Sequence, residues 1–396
     1  MGRELREVVY VDGVRTAFGR AGPKGVFSRT RADDMGVKVV RELLRRNPTV
    51  PADRIGDVIM AATAQVGDQG LTLGRDVALL AGIPQTVPGF AVDRMCAGAL
   101  TAVTAGAGEI AMDAADLVLA GGVEHMGHHP MGDDVDFNPR FVAERLVDTS
   151  AVTMGATAEN LHDRFPQITK EDADRYSVES QRRAAAAWEN GVMAETVVPM
   201  SVFTDEGWRV ADRDEFLRPD TTLAGLADLR TPFRAGGRVT AGNSAGLTDG
   251  ATASLLAAAE TAEELGLEPR MRLVGFAFAG VEPELMGIGP IPATKRVLER
   301  AGLTIDDVDL FELNEPFAVQ VLTWCEGVGV SPDDQRLNPY GGAIACGHPL
   351  AATGVRLMAQ LAYGFLERPD ARYGLTALCV GMGMGAAVLW ENVARA

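Results

Sequence analysis

Short apolar runs alternate along this chain with segments whose apolar positions recur at helical spacing. That alternation predicts an α/β fold with mostly buried strands. Strand-like runs at residues 8–12, 57–60 and 116–122 have later counterparts at 273–278, 307–311 and 373–379. Helix-like segments at 34–46 and 294–301 precede the second run of each set. Residues 90–110 read as a turn carrying Cys96 followed by a small-residue helix. Residues 338–361 repeat this as a glycine turn carrying His348 and an Ala-rich helix. The order is the same in both sets, so the chain repeats itself. The expected organisation is a first half from 1–123 with 244–270, a second half from 271–396, and an inserted region at 124–243. Within the insertion, Ala173, Tyr176, Ala184 and Trp188 predict an amphipathic helix over 170–190.

Composition narrows the function. The formal net charge of −17 over 396 residues argues against nucleic acid as a partner, because phosphates need a basic surface. An anionic small ligand remains compatible, since it needs only a local Arg or Lys. Cys96, Cys325, Cys346 and Cys379 lie far apart without C-x-x-C spacing, which predicts reduced thiols and a cytoplasmic protein. No run approaches the roughly 18 apolar residues of a membrane helix, and the charged residues 1–6 do not read as a secretion or lipid-anchor signal.

The chemistry is carried by Leu378-Cys379-Val380-Gly381-Met382-Gly383-Met384-Gly385, where a thiol opens into alternating glycines. A dinucleotide loop would need G-x-G-x-x-G near the start of a βαβ unit. Here the spacing is G-x-G-x-G, near the C-terminus, followed by the apolar run 386–390. Cys96 in Asp93-Arg94-Met95-Cys96-Ala97-Gly98 and His348 in Gly347-His348-Pro349 sit in similar small-residue settings. Two thiols and an imidazole suit carbon–carbon bond chemistry on thioesters.

These blocks, with 240–251, Asn314-Glu315-Pro316-Phe317-Ala318 and 341–349, occur in an order that resembles the thiolase family end to end. The 3-ketoacyl-CoA thiolases of fatty-acid β-oxidation are the most similar type. The resemblance implies a thiolase fold: two βαβαβαββ-type halves in layered α/β/α/β/α packing, with an inserted loop domain for CoA contacts and oligomerisation. It implies Cys96 as the nucleophile, at a helix N-terminus that favours thiolate, His348 as its base, and Cys379 as a second acid/base. Charge on oxygen would meet two donor sets: His348 with a water held by Asn314, and the backbone N–H groups of Cys96 and Gly381. Glu315 would support the water-and-imidazole network.

Arg218, Ser244, Ala245, Met286 and Phe317 fall at the family's CoA and acyl contacts. Acyl-CoA and CoA are the implied substrates, with no permanently bound cofactor. The implied assembly is a homodimer or homotetramer, with an enoyl-CoA hydratase/3-hydroxyacyl-CoA dehydrogenase subunit as a compatible partner. Thiolase chemistry needs no metal, and His125, His128 and His129 lack the ligands to complete a site.

The chain departs from the family pattern at Asp93 (usually Asn), Ala97 (usually Ser), Ala245 (usually Ser), Pro316 (usually Ala), and Ala351 and Thr353 (usually Gly and Ser). Thr153-Met154-Gly155 lacks the histidine typical of enzymes that make acetoacetyl-CoA, which favours a degradative role. An acetoacetyl-CoA thiolase is the alternative enzyme. A ketosynthase-like enzyme would use Cys-His-His, and a non-catalytic lipid carrier would tend to lose the catalytic groups.

Overall fold

The structure, a computed structural model, describes residues 5–133 and 135–395. The first set of elements runs β1 (Val8–Thr16), α1 (Ala32–Arg46), β2 (Ile55–Ala61), α2 (Leu73–Ala81), β3 (Phe90–Val92), α3 (Gly98–Ala111) and β4 (Leu117–His125). The inserted region contributes α4 (Met154–Arg164) and α5 (Lys170–Glu189) before β5 (Thr248–Ala258) closes the set. The second set runs β6 (Met271–Gly280), α6 (Pro290–Ala301), β7 (Leu310–Leu313), α7 (Ala318–Val328), α8 (Thr353–Glu367), β8 (Tyr373–Val380) and β9 (Met384–Asn392).

Strand pairing repeats as the sequence does. In the first set the order is β3-β2-β4-β5-β1, and in the second β7-β8-β9-β6, with β1 and β6 adjoining. β2 and β4 are parallel, as are β7 and β8. β3 also runs parallel to β2, and the remaining neighbours within each set are antiparallel. The counterpart of β3 is a single parallel bridge from Phe311 to Leu337. Register slips between Tyr10 and Asp12 in β1 and between Leu273 and Gly275 in β6, so even the bulge recurs.

Three cores separate the layers. Val40 and Leu43 of α1 and Val77 of α2 cover one face of the first set, against Val58, Met60 and Leu255. Val297 of α6 and Trp324 of α7 cover the outer face of the second, against Phe311, Leu375 and Leu389. Between the sets, Leu100 and Val103 of α3 and Val355 and Met358 of α8 pack against Ile59, Val118, Leu378 and Val388. Ile59 faces one core while Val58 and Met60 face the other, the period-two alternation of a strand buried on both sides. The layering is therefore α/β/α/β/α.

The central helices come very close. A Cβ on Gly354 would lie 2.7 Å from the Leu100 nitrogen, and one on Gly98 would lie 3.0 Å from the Ala351 Cβ. Small residues at these contacts bring the starts of α3 and α8 together.

One element outruns its apolar signal. β1 continues past Asp12 to Thr16 because Arg15, 2% exposed, donates to both carboxylate oxygens of buried Asp214 at 2.6 and 2.8 Å. Removing one partner would strand a buried charge, at a cost of about 3–5 kcal/mol. α5 begins where Thr169 and Asp172 form a reciprocal capping box, close to the expected boundary. No helix among the described residues is long and apolar enough to cross a membrane.

Candidate active site

Cys96 lies in a turn two residues before α3, and His348 five residues before α8. Because these helices start beside one another, the two loops meet: the Met95–Ala97 turn packs on the Leu350–Ala352 turn and on β8, whose penultimate residue is Cys379. The turn holds Met95 at φ +44°, a conformation uncommon outside glycine. Asp93 stabilises it by accepting the Met95 N–H at 2.6 Å, an Asx turn. Aspartate at this position thus still supplies the oxygen the turn needs.

Beyond Cys379, the glycines divide the labour. Gly381 faces the nucleophile: its N–H donates toward the Cys96 sulfur, and a Cβ there would come 2.8 Å from the Met95 sulfur and 3.7 Å from that of Met154. Gly383 makes the hairpin turn at φ +74°, where a Cβ would strike the Val281 carbonyl. Gly385 allows contact with the Gly289 backbone.

Both thiols are protonated at rest. Burial, with the charges of Glu124 and Asp93, pushes Cys96 up to about 12, against a smaller downward pull from the Gly381 N–H. Burial thus opposes the thiolate that the helix N-terminus was expected to favour. Cys379 is raised by burial and then by the nearby Cys96. Burial, followed by the charge of Arg356, lowers His348 to about 3, so its imidazole is neutral and free to accept a proton. Iodoacetamide should alkylate the free protein at Cys96 with a rate rising about tenfold per pH unit from 6 to 10, tracking the thiolate fraction. A plateau near neutrality would mean a preformed thiolate–imidazolium pair.

The imidazole is fixed on several sides. The His348 backbone N–H donates to Thr248 Oγ1 at 3.0 Å, and the ring Nδ1 lies 2.7 Å from Thr353 Oγ1. Thr353 in turn reaches the Pro349 carbonyl at 3.5 Å. A proton on Nδ1 satisfies this chain and leaves the Nε2 lone pair as the basic site. Threonine at 353 thus keeps the hydroxyl of the serine it replaces. Asn314, fully buried, places Nδ2 3.4 Å from Nδ1 and 3.3 Å from Nε2.

Glu315 does a different job from the one expected. Its carboxylate accepts from Tyr176 and Ser180 of α5, from Asn338, and from the Ile344 N–H. It fastens the inserted helix to the loop that carries His348. Glu124, unmarked by any sequence motif, accepts from the Ala351 N–H at 3.1 Å and the Thr63 N–H at 3.3 Å, anchoring that loop from the opposite side. The only sequence signal for it was an acid ending an otherwise apolar strand.

The expected CoA contacts divide. Ser244 bridges to Phe317, and the Ala245 N–H donates to the Pro316 carbonyl, so both pack on the segment that follows Asn314. Ser244 Oγ itself donates to Thr240 O. Met286 and Phe317 are 3% and 8% exposed, mostly core. Arg218 lies apart on the surface, its guanidinium folded onto the Glu215 and Leu217 carbonyls. Phe233 sits over Gly155, next to Met154, and is substantially exposed, an apolar side chain the sequence reading missed. A cavity of about 570 Å³ opens instead behind Tyr176, beside Ile168, Leu322 and Cys325, away from Cys96 and Cys379.

The three histidines are engaged elsewhere. His125 stacks on His128 at 3.6 Å, while His128 and His129 both reach Asp68, at 2.9 and 2.6 Å. Among the described residues, no group of His, Cys, Asp and Glu is arranged to hold a metal ion.

Comparison with known proteins agrees with this geometry. A family model described as Thiolase, N-terminal domain, matches residues 8–260, and one described as Thiolase, C-terminal domain, matches 267–392. The chain is 43% identical to the 3-oxoadipyl-CoA/3-oxo-5,6-dehydrosuberyl-CoA thiolase of Escherichia coli and 42% identical to a 3-ketoacyl-CoA thiolase of Cronobacter sakazakii. Each match covers 98% of this chain and 100% of the relative. The crystal structure of human mitochondrial 3-ketoacyl-CoA thiolase superposes with a TM-score of 0.89 at 33% identity, covering 99% of this chain and 100% of that one. With two family domains spanning the repeat and two thiols meeting where its halves join, this chain belongs to the thiolases, acyltransferases that work on CoA thioesters.

Proposed function

We propose that this chain cleaves 3-ketoacyl-CoA with CoA, giving acetyl-CoA and an acyl-CoA shortened by two carbons, in fatty-acid β-oxidation. The observation that carries the reading is the meeting of Cys96, Cys379 and the Gly381 N–H beside a neutral, oriented His348.

His348 Nε2 takes the Cys96 proton as the sulfur attacks the keto carbon. The resulting oxyanion is held by the Cys96 and Gly381 N–H groups. The C2–C3 bond then breaks, and its electron pair forms the acetyl-CoA enolate, whose oxygen faces His348 and a water on Asn314. Cys379 protonates the enolate carbon and acetyl-CoA leaves. The incoming CoA thiol gives its proton to Cys379 and attacks the acyl-cysteine, and the departing Cys96 sulfur recovers its proton from His348.

Arg218, Ser244, Ala245, Met286 and Phe317 are the proposed CoA and acyl contacts, with Arg218 turning outward to do so. The proposed domains are the two repeated halves, 1–123 with 244–270 and 271–396, and the inserted region 124–243. The active form is proposed as a homodimer or homotetramer, with a hydratase/dehydrogenase subunit as a compatible partner. Four unpaired cysteines support a cytoplasmic setting.

Chains longer than acetoacetyl-CoA are the proposed substrates. Thr153 stands where acetoacetyl-CoA-forming enzymes carry histidine, and Met95 and Met154 beside Gly381 are unbranched walls that adapt to different chains. Each methylene buried contributes about 0.8 kcal/mol, which raises kcat/KM where the contact persists in the transition state. Thiolysis of C4, C8 and C12 3-ketoacyl-CoA should therefore show the lowest kcat/KM at C4. A maximum at C4 would favour the acetoacetyl-CoA reading instead.

A further inference from the structure

We propose that Arg356 is a positioning residue that fixes which end of the Asn314 carboxamide faces His348. Arg356 lies on α8, three residues beyond the Thr353 that orients His348, and is 1% exposed. Its Nη2 donates to Asn314 Oδ1 at 3.4 Å, and its Nη1 donates to Gln360 Oε1.

The two ends of a carboxamide are nearly alike in shape and opposite in hydrogen-bonding character. Turned over, Asn314 would set its N–H₂ against the guanidinium, donor against donor, and its oxygen toward the site. There an oxygen would repel the negative charge that develops on the enolate. With Arg356 holding Oδ1, the amide hydrogens stay on the His348 side.

Glu312 lies beside the buried guanidinium without competing for its bond to Asn314. Its carboxylate is also 1% exposed and lies 3.7 Å from Arg356, and neither of its oxygens has a hydrogen-bond partner among the described residues. Burial pushes the Glu312 carboxyl up to about 8 against the pull of Arg356, and the closer bond of the guanidinium goes to Asn314. The sequence gives no hint of this, because an Arg inside an Ala-rich helix reads as a solvated position.

The inference rests on the reading of Asn314 as a donor on the enolate side, and it confines Arg356 to that half of the reaction. Exchange of labelled CoA into acetyl-CoA needs only acylation and deacylation of Cys96. Deuterium uptake from solvent into the acetyl-CoA methyl group needs the enolate. In full-length protein, Arg356→Met should slow deuterium uptake and the kcat of thiolysis by about 10- to 100-fold, the range for outer partners that orient a reacting group, with CoA exchange and the KM for CoA within about threefold of the parent. Arg356→Lys should restore part of the loss. CoA exchange falling in parallel, or deuterium uptake at the parent rate, would overturn the proposal.

If Arg356→Met does not fold, the double variant Glu312→Gln, Arg356→Met leaves neither charge stranded and is judged by the same outcomes. Asn314→Ala is measured alongside. Parental deuterium uptake there would overturn the enolate reading itself. A slow Asn314→Ala beside an unaffected Arg356→Met would overturn only the role of Arg356.

Discussion

Cys96→Ala is expected to lower thiolysis by about four orders of magnitude or more, the scale seen when a covalent nucleophile is removed. The parent protein incubated with a 3-ketoacyl-CoA and no free CoA should carry the shortened acyl group on Cys96, and peptide mass spectrometry should find it there. The variant should carry none. The expectation follows from the turn at Asp93–Met95, which presents Cys96 half-buried beside the Gly381 N–H, while Cys325 and Cys346 are buried elsewhere. A label on another cysteine, or an active Cys96→Ala, would remove the nucleophile assignment. The fold should survive, because Cys96 lies in a turn rather than inside a packed helix.

Cys379→Ser should separate two events that the parent performs together. Serine keeps the size and a proton but is far less acidic than a thiol, so it cannot relay protons between the enolate carbon and CoA. Thiolysis should fall by about three orders of magnitude, within the usual span for a lost acid/base group. Some acylation of Cys96 from a simple acyl-CoA should persist, because His348 and the two backbone N–H groups remain and CoA can leave as its thiolate without a proton from residue 379. Rapid-quench measurement of acyl-enzyme against steady-state turnover makes the distinction. Turnover near the parent value would mean that another group handles the carbon-bound proton.

Much of this was legible before any coordinates. The repeat could be read because each half writes the same alternation of buried strand and helix, and the site because its side chains flank glycines that few other structures require. What escaped were residues acting through partners far away in sequence. Glu315 stands next to Asn314, yet it serves α5, more than a hundred residues earlier, and adjacency suggested the wrong beneficiary. The first strand was expected to stop at Asp12 because the counter-charge that lets Arg15 be buried, Asp214, belongs to the inserted region. Glu124 and Arg356 resemble ordinary polar residues until folding buries them. The burial that opposes a Cys96 thiolate was hidden for a related reason: a helix start is visible in sequence, whereas burial belongs to the packed whole.

The contact of α3 with α8 through Gly98 and Gly354 makes the enzyme's competence a property of docking rather than of either half. The nucleophile hangs from one copy of the repeat, and the base and second thiol from the other. A mild denaturant that loosened the contact of α3 with α8 by an ångström or two would silence the enzyme while every strand remained paired. Activity should therefore vanish ahead of circular dichroism in an unfolding titration, and a bulky side chain forced between those glycines would yield a well-folded protein that has lost its reaction.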